Sequence, residues 1–370
     1  MTQRAYMPDY LRLSALFGIV VVNVQAMAYS IIEGFASASL TGTADDVVIW
    51  LVNGLAYLKT YGLFSFMFGV GLAFQMRSAH RRALPFGTLY RNRMMGLLVL
   101  GLLHGCLLFP YDILVLYAVT GAILYAMRTW SVRSLVRAGA GLLAVQILLA
   151  SAVLLAPASM DEVTTVEREI MTGGDIASVT LFRTIAFAST LPALVLIQGF
   201  SALGWFCLGL AAVKSGLIDR PDHAVWARAR RWCLLPGVAL SLLAAGLWQW
   251  GPEDLGMVMT LAVAPLSTIG YLGLIAAIAK PPGPWMAELL KAGGSSLSIY
   301  LGQSIILATV FAPYGLGLWD ALHPATAVGL SLAVTLALIL ALVLWRRWFA
   351  LGPFEWVLRG ITRFRVRRIA

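Results

Sequence analysis

An all-α, polytopic integral membrane protein with about ten transmembrane helices is the fold class this sequence predicts. Three observations predict it. Hydrophobic residues make up 60% of the 370-residue chain and charged residues 12%, against roughly 25% charged in a soluble domain; the mean hydropathy is +0.84. Apolar stretches of about 20 residues, the length that crosses a hydrocarbon core, recur from end to end. Lys and Arg collect in alternate connecting segments, while Glu33, Asp45, Asp46, Glu253, Asp254 and Asp320 fall in the others, which is the positive-inside pattern. With the N-terminus cytoplasmic, only Lys59, Arg168 and Arg183 lie off the inner side. An even number of spans then returns the C-terminus to the cytoplasm. The net charge of +10 is accounted for by topology and attraction to lipid headgroups, not by nucleic acid.

The elements follow in order. The first apolar run, 10–32, lacks a small-residue cleavage site and reads as a retained span, not a signal peptide. Residues 45–58 are apolar but short, as in an interfacial or re-entrant helix. Spans over 60–79, 93–109 and 112–127 follow, the last two separated by the break Phe109-Pro110-Tyr111. Next come 134–156 and an acidic outer loop, 157–183, expected to be a lid or disordered. Spans over 184–213, 232–250 and 255–279 lead to Pro281-Pro282-Gly283-Pro284, a helix stop within the inner loop 280–291. The chain closes with spans over 291–312 and 325–345 and a basic amphipathic cytoplasmic tail, 346–370. No polar stretch is long enough for a separate soluble domain, so residues 1–370 read as one transmembrane domain.

Ionisable groups inside a bilayer are costly and usually functional. His104 lies in the third apolar run and Asp112 opens the fourth. Across the short hairpin they could form a general base and its orienting carboxylate; alternatively His104 bonds a neighbouring helix and Asp112 caps the fourth span. Lys59 either snorkels at the outer start of the second span or supplies a counter-charge to Asp112 or to a substrate acid. Ser65, Gly69 and Gly71 make the second span thin enough for close helix packing, or for an acyl or pantetheine-like arm to pass. Arg81, Arg82, Arg91 and Arg93 in the inner loop 77–93 suit phosphate, although topology alone accounts for them. Asn23 sits near mid-membrane, as polar glue or a substrate contact. Tyr300, Gln303 and Ser304 share one face of an unusually polar ninth span, which either lines a pocket or bonds adjacent helices. The three cysteines lack CxxC spacing and the four histidines are scattered, so neither a disulfide framework nor a metal site is expected. GxSxG, Walker and HExxH signatures are absent from the sequence.

These segments, in this order, resemble the YeiB-like family of bacterial inner-membrane proteins. The matching motifs are Asp9-Tyr10-Leu11-Arg12, with Leu13 where the family has glycine; Asn23; Lys59 ahead of the stretch from Phe64 to Gly71; His104-Gly105; Asp112 to Ala118; Ser296 to Ser304; and Gly352 to Arg359. The family is distantly similar to the membrane acyltransferase superfamily, whose members move acyl groups from cytoplasmic acyl-CoA to acceptors at the outer side. Many of those carry an essential first-span His. Asn23-Val24-Gln25 stands there in this chain, so the resemblance would give that role to His104.

The resulting expectation is an acyl-CoA-dependent O- or N-acyltransferase in the bacterial inner membrane. His104 and Asp112 would act on the acceptor, and Lys59 or Gln303 would stabilise the oxyanion. Arg81, Arg82, Arg91, Arg93, Ser65 and Gly69 would hold the acyl-CoA co-substrate. Asn23, Tyr300, Gln303 and Ser304 would meet a small-molecule, glycan, peptide or lipid acceptor. Beyond the bilayer and the donor, a homodimer is compatible with the sequence, and no metal or nucleic acid is expected. The alternative is a transporter of a small polar or lipid-like solute, with His104, Asp112 and Lys59 as proton relay or substrate site.

Overall fold

The computed structural model describes residues 6–155, 161–364 and 366. Among them no β-sheet forms; one isolated bridge, Ser30 to Gly34, closes a turn. Helix α1 (Met7–Asn23) carries Pro8 in its first turn, where a missing N–H is harmless, and a short α2 (Gln25–Ala28) follows. Helix α3 (Thr43–Leu51) runs through a wide turn at Val52–Ala56 to Leu58, whose φ of 64° breaks the helix before α4 (Lys59–Arg81). The short helix expected ahead of the second span is thus present as the first part of a 39-residue apolar unit, Thr43–Arg81. Helices α5 (Phe86–Leu107) and α6 (Ile113–Ala126) make the hairpin predicted around Pro110. Then follow α7 (Val132–Leu154), α8 (Asp161–Gly173) and α9 (Ile176–Ala193), which holds Pro192 and widens at Leu194–Gln198 into α10 (Gly199–Lys214). The chain continues with α11 (Ala224–Ala229), α12 (Leu235–Trp250) and α13 (Glu253–Ile278), then α14 (Pro284–Gly293), α15 (Ser296–Phe311), α16 (Pro324–Trp345) and α17 (Pro353–Arg363).

Two connecting segments differ from the sequence expectation. The acidic loop after α7 is largely helical: residues 161–173 form α8, because Ile170 and Met171 reach an apolar cluster that also holds Tyr29 and Phe311. Its residues 157–160 lie outside the described residues, as do 365 and 367–370 of the basic tail. The inner loop before the ninth span is helical as well. There α14 meets α15 at an angle of 72°, through Gly294 and Ser295.

Among the described residues, seven helices are long and apolar enough to cross a membrane, or eight if α14 and α15 count as one broken span. Helices α5 and α6 fall outside that set. Arg91, Asn92 and Arg93 lower the apolarity of α5, and the α6 unit is short, ending at Thr129. Large apolar side chains point outward from the bundle, among them Leu148 at 71% and Leu235 at 76% exposure, as expected where lipid is the solvent.

Helix α4 lies near the centre, packed on α1, α10 and α13. Its crossing with α10 is made by two glycines. A Cβ on Gly69 would stand 2.1 Å from the Phe206 carbonyl oxygen, and one on Gly209 would stand 2.0 Å from that of Phe66. Backbones this close need small residues on both sides. The bundle has two distinct ends. At the basic end α17 lies against α5, and Glu355 accepts the Leu297 amide at 2.7 Å and the Ser298 amide at 3.1 Å, so α17 caps the start of α15. At the acidic end Asp45 accepts the Ala325 amide at 2.8 Å and meets the His323 ring at 2.8 Å.

Candidate active site

The α5–α6 hairpin brings His104 and Asp112 together. Asp112 caps α6, so one carboxylate oxygen, Oδ2, is held by the Val115 amide at 2.7 Å. The other, Oδ1, lies 2.8 Å from His104 Nδ1. Both sequence readings of Asp112, cap and orienting carboxylate, are therefore met by one side chain. Gly101 permits this: a Cβ there would fall 2.7 Å from Asp112 Oδ2. The second imidazole nitrogen, Nε2, lies 2.8 Å from the Ser304 hydroxyl on α15. Asp112, His104 and Ser304 thus form one hydrogen-bonded line, and all three are buried. In such a line the carboxylate accepts a hydrogen bond from Nδ1–H, which keeps the proton on Nδ1 and leaves the Nε2 lone pair to act as a base.

Two cavities flank this line. The first, about 330 Å³, opens toward the acidic end and is lined by Asn23, Gln25, Tyr61, Tyr111, Gln198 and Trp248, among others. The second, about 380 Å³, opens toward the basic end, with Arg12, Gln75, Ser78 and Arg93 around an apolar wall that includes Phe68 and Leu97. Tyr117 lines both cavities, and its hydroxyl hydrogen-bonds Ser65 at 2.7 Å. The imidazole is one ring away from each: Phe109, lining the first, lies edge-on at 6.2 Å, and Tyr300, lining the second, at 5.0 Å.

The other residues singled out in the sequence separate into groups. Asn23 lines the acidic-end cavity and accepts the Tyr61 hydroxyl at 2.6 Å. Arg93 lines the basic-end cavity, and its Nε is buried without a hydrogen-bond acceptor among the described residues. Arg81, Arg82 and Arg91 are exposed at the same end and do not line that cavity. Gly69 is taken up by the contact with Phe206 and lines neither cavity. Lys59 is fully buried and donates to the Asn53 carbonyl at 3.1 Å, so it makes no ion pair with Asp112. Gln303 donates to the Leu16 carbonyl and to Thr335, tying α1, α15 and α16 together. Tyr117, the residue common to both cavities, enters the sequence reading only within the Asp112 to Ala118 motif and is given no role there. Arg12 was readable only as the partner of Asp9, which it bonds at 3.1 Å.

At the rim of the acidic-end cavity, α8 is latched by Glu167. Its carboxylate accepts the Ile31 amide at 2.9 Å and the Ser30 hydroxyl at 2.8 Å. Arg168 beside it reaches Asp320 at 2.6 Å. Burial opposes ionisation of Asp320, but Ser39 and Arg168 outweigh it and hold the carboxyl below its ordinary value. For Glu167 burial wins over the Ile31 and Ser30 hydrogen bonds, and its carboxyl sits above its ordinary value. A carboxyl raised on folding stabilises the docked state below its unfolded value, and that contribution is lost as pH rises through the folded value. Hydrogen exchange across α8, corrected for intrinsic rates, is expected to show firmer docking at acidic than at neutral pH. Glu167→Gln should flatten that dependence; an unchanged pH dependence would assign the latch to another group.

The fold and site define a polytopic helical membrane protein with a buried carboxylate–imidazole–hydroxyl line between two opposed cavities. A family model described as a protein of unknown function (DUF418) matches residues 212–365, the stretch that supplies Tyr300, Ser304 and Glu355. The uncharacterized protein YxaH of Bacillus subtilis is 27% identical, over 96% of this chain and 93% of its own length. The uncharacterized protein YeiB of Escherichia coli is 28% identical, over 96% of this chain and 95% of its own length. The chain is thus similar over nearly its whole length to both uncharacterized bacterial proteins. No solved structure matches it.

Proposed function

We propose that the protein transfers an acyl group across the membrane, from a thioester donor entering at the basic end to a hydroxyl or amine acceptor at the acidic end. The observation that carries this reading is the Asp112–His104–Ser304 line set between two cavities that open at opposite ends. An imidazole with its Nδ1 held by a carboxylate is a general base for acyl transfer. In this reading the basic end is cytoplasmic, α5 and α6 also cross the bilayer to make ten spans, and both termini face the cytoplasm of a bacterial inner membrane. The amphipathic α17, with Trp356 exposed, lies on the inner leaflet as part of the single domain.

Acyl-CoA suits the basic end as donor. Arg93, with its unsatisfied Nε, and Arg12 face the cavity mouth, and Arg81, Arg82 and Arg91 stand exposed nearby for the phosphates. The aromatic wall of Phe64, Phe68 and Phe74 suits an acyl or pantetheine-like arm. Bound there, the donor supplies a thioester carbonyl, and every proton movement is left to His104. At the acidic end Asn23, Gln25 and Gln198 offer polar contacts to an acceptor. The test is acyl transfer by the purified protein from a panel of labelled acyl-CoA donors, with membrane extract as acceptor source. His104→Ala is expected to lower the rate at least ~100-fold; unchanged transfer would remove His104 as the base.

One observation favours a second reading. Two opposed cavities that share Tyr117, which bonds Ser65 of the first, also suit alternating access. Solute movement into proteoliposomes without any acyl donor, abolished by Asp112→Asn, would favour a transporter.

A further inference from the structure

We propose that Ser304 is itself the first acceptor, so that the acyl group crosses as an ester on its Oγ. This inference rests on the acyl-transfer reading. Three observations carry it.

The first is where the Ser304 proton points. Buried hydroxyls in helices ordinarily donate to the carbonyl four residues back. Thr120, Thr260, Thr268 and Thr335 do so here at 2.6–2.8 Å. Ser304 departs from that pattern, as Ser65 and Ser241 also do toward hydroxyl partners: its bond to the Tyr300 carbonyl is 3.3 Å, while His104 Nε2, a ring nitrogen, is at 2.8 Å. With Asp112 accepting from Nδ1–H, the neutral ring presents its Nε2 lone pair, and in that tautomer Ser304 is the donor. The second is that Ser304 occupies Nε2, the position an external hydroxyl would need for His104 to deprotonate it directly. The third is position. His104 is reached past Tyr300 from one cavity and past Phe109 from the other. A carrier between them removes the need for donor and acceptor to meet at one point.

The two steps balance. Ser304 Oγ attacks the thioester carbonyl and its proton passes to His104 Nε2; the C–Oγ bond forms, the C–S bond breaks, and His104 returns the proton to the leaving thiolate. The acceptor hydroxyl or amine then attacks the Ser304 ester and gives its proton to His104. The C–Oγ bond breaks and the proton returns to Oγ. Thioester and acceptor become acylated acceptor and thiol, with no other reactant. Tyr300, one helical turn earlier on the same face, has a buried hydroxyl that donates to no group and can stabilise the oxyanion in both steps.

The experiment treats the full-length protein in nanodiscs with p-nitrophenyl acetate, a donor that needs no CoA site, and maps the adduct by peptide mass. Acetylation is expected at Ser304 in the wild type, as a thioester in Ser304→Cys, at none of the α15 positions in Ser304→Ala, and at least ~100-fold more slowly in His104→Ala. A wild-type protein that gives no adduct at Ser304 overturns the relay. In parallel, Ser304→Ala is assayed with the labelled acyl-CoA panel. Transfer at the wild-type rate in that variant overturns the relay while leaving the acyl-transfer reading standing. A Ser304 adduct in a protein that consumes no acyl-CoA supports the activated serine and removes the CoA donor instead.

Discussion

Asp112→Asn is expected to lose activity by about 10⁴ while the protein stays folded. The reason is geometric. The substituted carboxamide can still turn its oxygen to the Val115 amide and keep the cap on α6 that Asp112 makes at 2.7 Å. Its nitrogen then faces His104 Nδ1, where Asp112 Oδ1 stands now at 2.8 Å. A donor there forces the imidazole proton onto Nε2, and Nε2 becomes a donor toward Ser304 instead of a base. Stability should change by no more than about 1 kcal/mol. The measurements are the rate of acyl transfer or Ser304 acetylation, beside the thermal midpoint in detergent. A variant that keeps its rate would show that Asp112 only caps the helix. Asp112→Ala separates the two roles by adding the loss of the cap, again about 1 kcal/mol.

Gly209→Ala is expected to be among the most damaging single methyls added to the fold, lowering stability by about 3 kcal/mol, the upper end for overpacking. The added Cβ would meet the Phe66 carbonyl oxygen at 2.0 Å, a backbone atom that can retreat only by moving α4 away from α10. That movement would also shift Ser65 and Tyr117, which lie between the two cavities. Gly329→Ala on α16 is the control. Nothing lies within 4 Å of its added Cβ, and removing a helical glycine there should stabilise by about 0.5–1 kcal/mol. The check is thermal unfolding of both variants, followed by size-exclusion profile. Equal midpoints would mean that the α4–α10 crossing has more room than its geometry shows.

Helices were legible in the sequence wherever apolar runs were long, because burial in lipid demands internally hydrogen-bonded backbone. Hence α7, α13 and α16 coincide closely with their expected spans. Where a short amphipathic helix stands beside a membrane segment, apolar periodicity and loop composition compete. That is why α8 and α14 read as loops. The His104–Asp112 pairing was legible because the two stand only eight positions apart across a hairpin and both are costly in an apolar run. The bond from His104 to Ser304 was not, since 200 residues lie between them and no local pattern encodes a contact between helices so distant. The polar face of Tyr300, Gln303 and Ser304 announced a role for α15, but its members divide: Tyr300 lines a cavity, Gln303 ties helices and Ser304 meets the imidazole. Lys59 misled for a related reason. A buried amine looks like a counter-ion in sequence, yet the wide turn at Val52–Ala56 brings it a backbone carbonyl instead.

The cap that Glu355 places on α15 has a consequence in time. A ribosome releases the His104–Asp112 hairpin long before it makes α15, and α15 before the helix that caps it. Until α17 docks, the first turn of α15 lacks the carboxylate that accepts the Leu297 and Ser298 amides. Only when α17 docks against α5 is the serine-bearing helix set in register, about 9 Å along the axis from its cap at 1.5 Å per residue. Helix α17, made after α15, therefore completes the setting of that helix, and a chain interrupted between them carries Asp112, His104 and Ser304 without the Glu355 cap.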